Sequence, residues 1–301
     1  MKIFEEQLQI KLNNHGYYEL LKKPDEKELA AFYRDKYFQE NKKPHHNNYS
    51  EKELLMINNK IEQKYLVTTE ILGNNKVHQG KEFRLLDIGC GEGWTLSYFR
   101  KQGWEVTGLD YSSFGCSSFN PHCMDYLLPG DIYENIKSLI IKNEKFDLIW
   151  MTNVLEHVLD PEDLLIKSKK LINEGGILIV QVPNDFSELQ IHLLENGFID
   201  SAFWVISPDH ISYFGKESLI NLMKHTGWRN EKMLTDFPID FNLFNENTNY
   251  IMNKNLGKSV HFARVEIENF LHKTNPEKTN KLYELLAEMN IGRQIIGFFS
   301  A

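Results

Sequence analysis

The stretch Asp87-Ile88-Gly89-Cys90-Gly91-Glu92-Gly93 places three glycines at alternate positions, directly after a short apolar run. The run 83–88 (FRLLDI) is typical of a buried β-strand, and the following TLSYFRKQG is typical of a helix. Glycine allows a tight turn and a close backbone approach to a ligand at the carboxyl edge of a parallel sheet. These residues therefore predict a strand–turn–helix unit of an α/β fold, with a ligand bound at the turn.

An acidic residue follows the glycine turn at the spacing that ribose recognition requires. The run 105–110 (EVTGLD) predicts a second strand ending in Asp110, about 20 residues beyond the first glycine. Two further apolar runs, 146–151 and 176–182, flank a helix that begins at Asp160. Strands that alternate with helices indicate a mostly parallel sheet covered by helices on both faces.

The regions outside this alternating pattern are predominantly helical. One helix is predicted at 27–38, and a second begins at the capping box Ser50–Glu53. We predict a helical N-terminal cap at 1–80 and a ligand-binding domain at 81–301, with a strand at 232–237, a helical insertion at about 255–290 and a last strand at 292–301. Aromatic side chains of the cap either cover the ligand or pack between helices: Tyr17, Tyr18, Tyr33, Tyr37 and Phe38.

The charge balance and the cysteine content argue against several classes of protein. Lys and Arg total 34 against 42 Asp and Glu, and the net charge of −8 argues against a dedicated nucleic-acid binder. The cysteines Cys90, Cys116 and Cys123 are too few and too irregularly spaced for a disulfide framework or a zinc site, so we expect no metal. No stretch has the length and apolar character of a signal peptide or a membrane span, which predicts a cytoplasmic protein.

The residues of the glycine turn distinguish between two classes of nucleotide cofactor. A dinucleotide fingerprint expects a further glycine to seat a pyrophosphate, and this chain has Trp94 there. Asp87 and Glu92 place two carboxylates at or near the turn, where they would repel a pyrophosphate but suit a cationic ligand. S-adenosyl-L-methionine carries an ammonium group, a sulfonium group and a ribose diol. The turn therefore favours this cofactor and disfavours a dehydrogenase.

Four successive segments, LLDIGCGEGWTLSYF, VTGLDYS, FDLIWMTNVLEHVLDPEDLL and GGILIVQVPN, resemble the motifs of class I S-adenosylmethionine-dependent methyltransferases. The resemblance covers residues about 83–237 and implies a Rossmann-like, doubly wound, mostly parallel seven-stranded sheet. It also implies a helical N-terminal segment and a helical insertion before the last strand. The cofactor-binding residues that it implies are Asp87, Gly89, Cys90, Gly91, Gly93, Asp110, Tyr111, Asp131, Ile132, Asn153 and Val154.

The resemblance implies a separate role for each part of that set. The three glycines and Asp87 hold the amino-acid part of the cofactor, while Asp110 binds the ribose. Tyr111 lies beside the adenine, and Asp131 with Ile132 meets its amino group. The sulfonium faces Asn153 and Val154 at the end of the fourth strand.

A hydroxyl acceptor must lose its proton before it attacks the methyl carbon, and a histidine base typically contributes roughly 10²–10⁴-fold. His210, in PDHISYF, lies after the fifth strand on the segment that usually covers the acceptor in this superfamily, and we predict it as the base. Tyr213 is predicted to reach the substrate, and His157 in NVLEHV is the competing base. Each histidine has a structural alternative, in which it only stabilises its loop.

The segments VPN, PDHISYF, HTGW and NIGRQIIGFFSA are similar to methyltransferases that modify sugars for bacterial capsules and lipopolysaccharides. This similarity implies an O-methyltransferase acting on an activated sugar, a sugar nucleotide or sugar phosphate, with Arg293, Lys216 or Arg264 available to a phosphate. Alternatives are a quinone or phenol O-methyltransferase, a sugar C-methyltransferase and a non-catalytic S-adenosylmethionine-binding partner protein. The product would be S-adenosyl-L-homocysteine, and both a monomer and a homodimer stay open.

Overall fold

The computed structural model describes residues 2–25, 27–29, 49–73 and 82–301. Most of the helix predicted at 27–38 lies outside the described residues, as do Tyr33, Tyr37 and Phe38. The α-helices are α1 (Lys2–Leu8), α2 (Glu51–Leu72), α3 (Trp94–Lys101), α4 (Phe114–Phe119), α5 (Ile132–Ile141), α6 (Pro161–Lys169), α7 (Glu188–Glu195), α8 (Lys216–His225), α9 (Gly257–Thr274) and α10 (Pro276–Glu288). Short 3₁₀ helices lie at Pro121–Tyr126, Ile239–Phe244 and Lys254–Leu256.

The strands are β1 (Ile10–Leu12), β2 (Tyr18–Leu20), β3 (Arg84–Ile88), β4 (Glu105–Asp110), β5 (Leu127–Pro129), β6 (Phe146–Thr152), β7 (Ile172–Pro183), β8 (Ser212–Tyr213), β9 (Arg229–Thr235) and β10 (Gln294–Ser300). Seven of them form one sheet in the order β5-β4-β3-β6-β7-β10-β9. The pairings among β3 to β7 are parallel, whereas β10 runs antiparallel to both of its neighbours, β7 and β9. This arrangement confirms the predicted Rossmann-like sheet, with the helices α9 and α10 inserted before its last strand.

The strand order reverses between β3 and β6, because the chain passes from β3 to β4 and β5 on one side and from β6 to β7 on the other. Ligands of open α/β sheets bind at such a switch point, outside the carboxyl ends of the strands. The central strands read as continuous apolar runs because helices cover both faces, and Leu85, Leu86 and Ile88 are fully buried. The predicted ligand site therefore lies at the carboxyl ends of fully buried central strands.

Local capping explains where two of the predicted helices begin. The Ser50 hydroxyl accepts a hydrogen bond from the Glu53 backbone N–H, and the Glu53 carboxylate accepts one from the Ser50 backbone N–H, as the capping box predicts. At the start of α6, the Asp160 carboxylate accepts a hydrogen bond from the Asp163 N–H at 2.9 Å. Both caps satisfy N–H groups that a helix leaves without a partner.

The N-terminal segment contains a β-hairpin that the sequence analysis did not predict. Strands β1 and β2 pair with each other, and β2 also pairs with β8, where Tyr18 lies opposite Tyr213. Strands of two or three residues are too short to show an alternating pattern, so only the tertiary contact reveals them. Ile10 and Leu20 pack with Tyr213 in a small apolar cluster that holds the hairpin in place. The division of the chain at residue 80 stays a prediction.

The two edge strands of the main sheet, β9 and β5, are the ones that the sequence marks least clearly. The strand predicted at 232–237 lies at Arg229–Thr235, because Asp236 turns inward and its carboxylate accepts hydrogen bonds from two backbone N–H groups at the start of β10, both at 2.9 Å. The strand β5 has only three residues, which explains why the sequence shows no clear apolar run at that position. Within the described part of the chain, no helix is long and apolar enough to cross a membrane.

We predict that Gly89→Ala destabilises the protein far more than Gly103→Ala. Both glycines have a left-handed backbone, with φ of +75° and +81°, but only a Cβ at Gly89 would overlap another side chain, 2.4 Å from Val154 Cγ2. The backbone conformation alone costs an alanine about 1–2 kcal/mol, and overpacking adds about 1–3 kcal/mol. Urea unfolding followed by circular dichroism measures both variants. Equal losses of unfolding free energy would contradict the steric argument.

Candidate cofactor and acceptor site

The glycine turn joins β3 to α3 at the carboxyl edge of the sheet, beside the end of β4. The N–H groups of Gly89 and Cys90 both donate to the Leu109 carbonyl oxygen, at 2.7 and 3.0 Å. These bonds fix the turn against the neighbouring strand. At Gly91, with φ of +51°, a Cβ would meet no atom of the described residues within 4 Å, so the backbone there borders open space that a ligand can enter.

Asp110 connects the end of β4 to the glycine turn. Its Oδ2 accepts a hydrogen bond from the Gly91 N–H at 2.8 Å, and its Oδ1 accepts one from the Ser112 N–H at 3.0 Å. Burial raises the pKa of Asp110, although these backbone donors stabilise the ionised form. A carboxylate has about four lone-pair directions, so Asp110 retains acceptors for ribose hydroxyls while it holds the turn.

Asp87 lies at the end of β3 and is buried, with 2% of its surface exposed. Its Oδ2 has no hydrogen-bond partner within the described residues. The pKa of Asp87 is raised to about 8, first because the carboxyl group is buried and second because the Asp110 charge is near, while Lys64 acts in the opposite direction. A buried carboxylate with an unpaired oxygen gains from a cationic ligand group, which is the role that the resemblance implies for it.

Lys64, on the buried side of α2, was not predicted. Its Nζ donates to Gln181 Oε1 at 2.7 Å and lies 5.0 Å from the centroid of the Trp150 ring. Burial lowers the pKa of Lys64 to about 7, with the charge of Lys60 acting in the same direction. A signal was available in the sequence, because Lys64 lies three residues from both Ile61 and Val67, two apolar residues of the buried face.

Glu92 takes part in a contact that the sequence analysis did not anticipate. Its carboxylate accepts hydrogen bonds from Trp94 Nε1 at 2.6 Å and from the Tyr49 hydroxyl at 3.0 Å. Tyr49 precedes α2, and its ring lies 5.5 Å from that of Phe119 between centroids. Glu92 thus anchors the start of α2 to the glycine turn, and of the two carboxylates only Asp87 keeps an unpaired oxygen for a cationic ligand group.

The remaining residues around the turn pack it against the strand ends. Cys90 is buried, and its Sγ would lie 2.8 Å from a Cβ on Gly108, so the thiol fills the space that this glycine leaves. Val154 occupies the corresponding space beside Gly89. Asn153 has a positive φ of 53°, and its N–H donates to the Gln181 carbonyl oxygen at 2.9 Å. The end of β6 is therefore in contact with the turn.

The residues predicted beside the adenine lie at the same edge of the sheet. Tyr111 directly follows Asp110 and is 42% exposed. Asp131 follows β5 and caps α5, since its Oδ1 accepts hydrogen bonds from the N–H groups of Tyr133 and Glu134 at 2.8 and 3.0 Å. Ile132 is the first residue of that helix. Their contact with adenine stays a prediction.

The structure brings the two predicted catalytic histidines together. The rings of His157 and His210 meet edge to face, with centroids 4.9 Å apart. The His157 Nδ1–H donates to the Asp209 carbonyl oxygen at 2.7 Å. Because this bond fixes the proton on Nδ1, the neutral His157 ring carries its lone pair on Nε2. The segment after β6 and the loop after α7 thus form one site.

Glu156 and Tyr213 hold the His210 loop from within the protein. The Glu156 carbonyl oxygen accepts hydrogen bonds from the N–H groups of Ile211 and Ser212, at 2.8 and 3.1 Å. The Tyr213 hydroxyl donates to the His210 carbonyl oxygen at 3.0 Å, and Tyr213 is only 1% exposed. Burial raises the pKa of Tyr213 and raises that of Glu156 to about 8. The Tyr213 side chain therefore contacts the backbone of the predicted base.

The edge of the sheet fits S-adenosyl-L-methionine. The unpaired Asp87 oxygen suits a cation, Gly91 borders open space, and Asp110 has lone pairs for a diol. When bound, this cofactor supplies a methyl group on a positively charged sulfur. A family model described as "Methyltransferase domain" matches residues 26–233, more than half of the chain. The chain belongs to the class I S-adenosylmethionine-dependent methyltransferases. Membership confirms the predicted family and, with it, the predicted cofactor.

Curated relatives of this methyltransferase match a restricted part of the chain. Ubiquinone biosynthesis O-methyltransferases of Maricaulis maris and Rhodopseudomonas palustris (strain HaA2) are 29% identical over 107 residues and 33% identical over 101 residues. The matches cover 35% and 34% of this chain and 42% and 40% of those proteins, so the chain spans less than half the length of these relatives. A protein of the same name from Coxiella burnetii is 27% identical over 166 residues, which is 52% of this chain and 70% of that protein.

Solved structures of methyltransferases are also similar to the chain. An S-adenosylmethionine-dependent methyltransferase from Archaeoglobus fulgidus matches with a TM-score of 0.47 and 18% identity, over 79% of this chain and 94% of that one. The plantazolicin methyltransferase BamL, in complex with a substrate analogue and S-adenosylhomocysteine, matches with a TM-score of 0.48 and 14% identity, over 92% and 91% of the two chains.

We predict that Asp110→Asn weakens the binding of S-adenosyl-L-homocysteine by about ten- to hundredfold. The amide removes the charge and one acceptor, and hydrogen bonds to charged groups contribute about 1.5–3 kcal/mol. Isothermal titration calorimetry measures the affinity, and Asp125→Asn, at an exposed carboxylate, is the matched control. If both variants bind with unchanged affinity, Asp110 does not contact the ribose.

We predict that this affinity increases roughly tenfold between pH 6.5 and 8.5. Burial raises the pKa of Asp87 to about 8, so at pH 6.5 the carboxyl group must lose a proton before it pairs with the ligand ammonium group. At higher pH the carboxylate is already ionised, and this cost disappears. Calorimetry across this range should give a flat profile for Asp87→Asn. Lys64→Met is the control, because burial lowers the pKa of Lys64 to about 7 and the lysine titrates in the same range. An unchanged slope in Asp87→Asn would contradict the assignment.

Proposed function

We propose that the protein is an S-adenosylmethionine-dependent O-methyltransferase whose acceptor is the hydroxyl of a small phenol or quinol. The proposal rests on one observation: the segment that carries His157 is in direct contact with the glycine turn. Val154 packs against Gly89, and the His157 N–H donates to the Val154 carbonyl oxygen at 3.0 Å. A base beside the sulfonium end of the cofactor is the arrangement that a hydroxyl acceptor requires.

In the proposed reaction, the acceptor oxygen forms a bond to the methyl carbon while the bond from that carbon to sulfur breaks. His210 accepts the hydroxyl proton, and the neutral product S-adenosyl-L-homocysteine leaves. His157 positions the His210 ring through their edge-to-face contact, since its own Nδ1–H is bonded to Asp209. Tyr213 acts as a positioning residue, because its hydroxyl contacts the His210 backbone from a buried site.

The support for an aromatic acceptor comes from the curated relatives, which are named ubiquinone biosynthesis O-methyltransferases. The aromatic rings behind the histidine pair serve another purpose. His210 lies 6.2 Å from Tyr213 between ring centroids, and Tyr213 continues into a cluster with Phe186 and Trp204. Tyr18, from the N-terminal hairpin, lies 4.4 Å from Phe186 between centroids. Tyr213 and Trp204 are each only 1% exposed, so this cluster is core packing that supports the His210 loop from behind.

The basic residues that were expected to be available to a sugar phosphate are paired with other groups. Arg264 bonds Asp236 at 2.6 Å, and Arg293 bonds Asp240 at 3.3 Å. Lys216 donates to the Glu288 carbonyl oxygen at 3.1 Å. The charges of Arg264 and Arg293 are therefore already compensated by carboxylates, with which a phosphate would have to compete. The activated-sugar acceptor and the capsule pathway that the sequence suggested therefore rank below the phenol or quinol alternative.

We expect the purified protein to transfer a labelled methyl group from S-adenosyl-L-methionine to a catechol or a hydroxylated benzoquinol, and not to nucleotide sugars. His210→Ala should lower turnover by roughly 10²–10⁴-fold, because the acceptor keeps its proton, while S-adenosyl-L-homocysteine affinity stays unchanged. Scintillation counting of extracted products measures the first quantity, and calorimetry measures the second. His192→Ala, on α7, is the matched histidine control.

Each proposed role fails on a different result. Methylation of a nucleotide sugar in place of the phenol would overturn the acceptor class. Full loss of turnover in His157→Ala together with normal turnover in His210→Ala would exchange the roles of the two histidines. Cofactor binding without turnover on either acceptor class would favour the non-catalytic partner protein.

A further inference from the structure

Three potential metal ligands meet on the surface, in a cluster separate from His157 and His210. His15 lies in the turn between β1 and β2, Glu162 lies in the first turn of α6, and His225 is the last residue of α8. One ligand atom from each residue lies within 4.8 Å of the other two. The cluster thus joins three segments that are far apart in the sequence.

The distances match those of a tetrahedral metal site. His225 Nε2 lies 3.1 Å from Glu162 Oε1, and His15 Nε2 lies 3.5 Å from Glu162 Oε2. A Zn²⁺ ion with bonds of about 2.0–2.2 Å keeps neighbouring ligand atoms about 3.3–3.5 Å apart. Both histidine-to-carboxylate distances are thus close to those of a tetrahedral site, although they run to different oxygens of Glu162. The three ligand atoms, all within 4.8 Å of one another, would move closer together around an ion.

The cluster is also held in position before any ion binds. The Asn13 carboxamide oxygen accepts hydrogen bonds from the N–H groups of His15 and Tyr17, at 2.9 and 3.3 Å, which fixes the turn. The rings of His15 and His225 lie 4.6 Å apart between centroids. Both histidines direct Nε2 toward the same carboxylate. Ligands that are positioned in advance lose little conformational entropy on binding a metal.

We propose that His15, Glu162 and His225 bind one divalent ion of the Zn²⁺ class, with water in the fourth position. Two imidazoles and one carboxylate form a ligand set that zinc accepts, and this set excludes a preference for Ca²⁺ or Mg²⁺, which require oxygen ligands. This site is independent of the proposed methyl transfer, because none of its residues belongs to the cofactor or acceptor groups described above.

A bound ion would connect the N-terminal hairpin to the body of the protein. The hairpin reaches β8 through the pairing of β2, where Tyr18 lies opposite Tyr213. The metal would thereby stabilise the hairpin against α6 and α8, and with it the strand that follows His210. We therefore expect metal binding to protect the hairpin from proteolysis.

The test uses the full chain without an affinity tag, after treatment with a chelator. Calorimetry with Zn²⁺ should give one saturable site per chain, and Co²⁺ should give the visible absorption of a tetrahedral complex. His225→Ala and Glu162→Gln should each weaken binding by more than about tenfold, since even the loss of a group that only orients a ligand costs that much. His225 is 55% exposed, so its substitution preserves the fold, which circular dichroism checks.

Two control variants decide where the ion binds. His157→Ala removes the second cluster of potential ligands, formed by Glu156, His157 and His210, and His192→Ala removes an unrelated histidine. Loss of binding in the first pair of variants, with retention in these two, supports the proposal. No saturable binding to the unmodified chain, unchanged binding in His225→Ala, or loss only in His157→Ala would overturn it. None of these outcomes depends on methyl transfer, so the proposed function is tested separately.

Discussion

The hydrogen bond from the Gly91 N–H to the Asp110 carboxylate is the contact on which the site depends. It joins the turn after β3 to the end of β4, and the adjacent Gly89 and Cys90 N–H groups bond Leu109 on the same strand. The turn is therefore fixed by the sheet and does not need a ligand to order it. A cofactor meets a prepared surface, which reduces the entropy lost on binding.

The glycine turn also determines what packs around it. Because Gly89 has no side chain, the Val154 side chain occupies the space beside its backbone. This contact holds the end of β6 against the glycine turn. His157 follows Val154 within one turn, and His210 reaches His157 because Glu156 holds the next loop through its carbonyl oxygen. The missing Cβ of Gly89 thus allows the glycine turn to pack directly against the segment that carries His157.

The sequence was sufficient for the parts of the molecule that depend on local patterns. The glycine turn, the position of Asp110 and the sheet of a known family all follow from short motifs. The motifs also place His157 and His210 on two loops, but the contact between their rings was not predicted, and their catalytic roles stay predictions. Contacts between residues far apart in the chain were not predictable. They are the hydrogen bond from Tyr49 to Glu92, the electrostatic interaction of Lys64 with Asp87 and the strand pairing of Tyr18 with Tyr213. Glu92 shows the limit most clearly, because its position in the motif predicts a charge near the cofactor, whereas its partners are aromatic side chains. A family motif specifies residue types at set positions, and tertiary contacts decide which way each side chain points.

The pairing of β2 with β8 has a consequence for the order of assembly. Strand β2 must wait for Ser212 and Tyr213 to be synthesised before it gains its second neighbour. The contacts among β3, β4 and α3 close over far shorter loops, and short loops form faster. We infer that the sheet around the glycine turn becomes structured early, while the segment that carries β8 gains its pairing with β2 only when the two ends of this long stretch of chain meet.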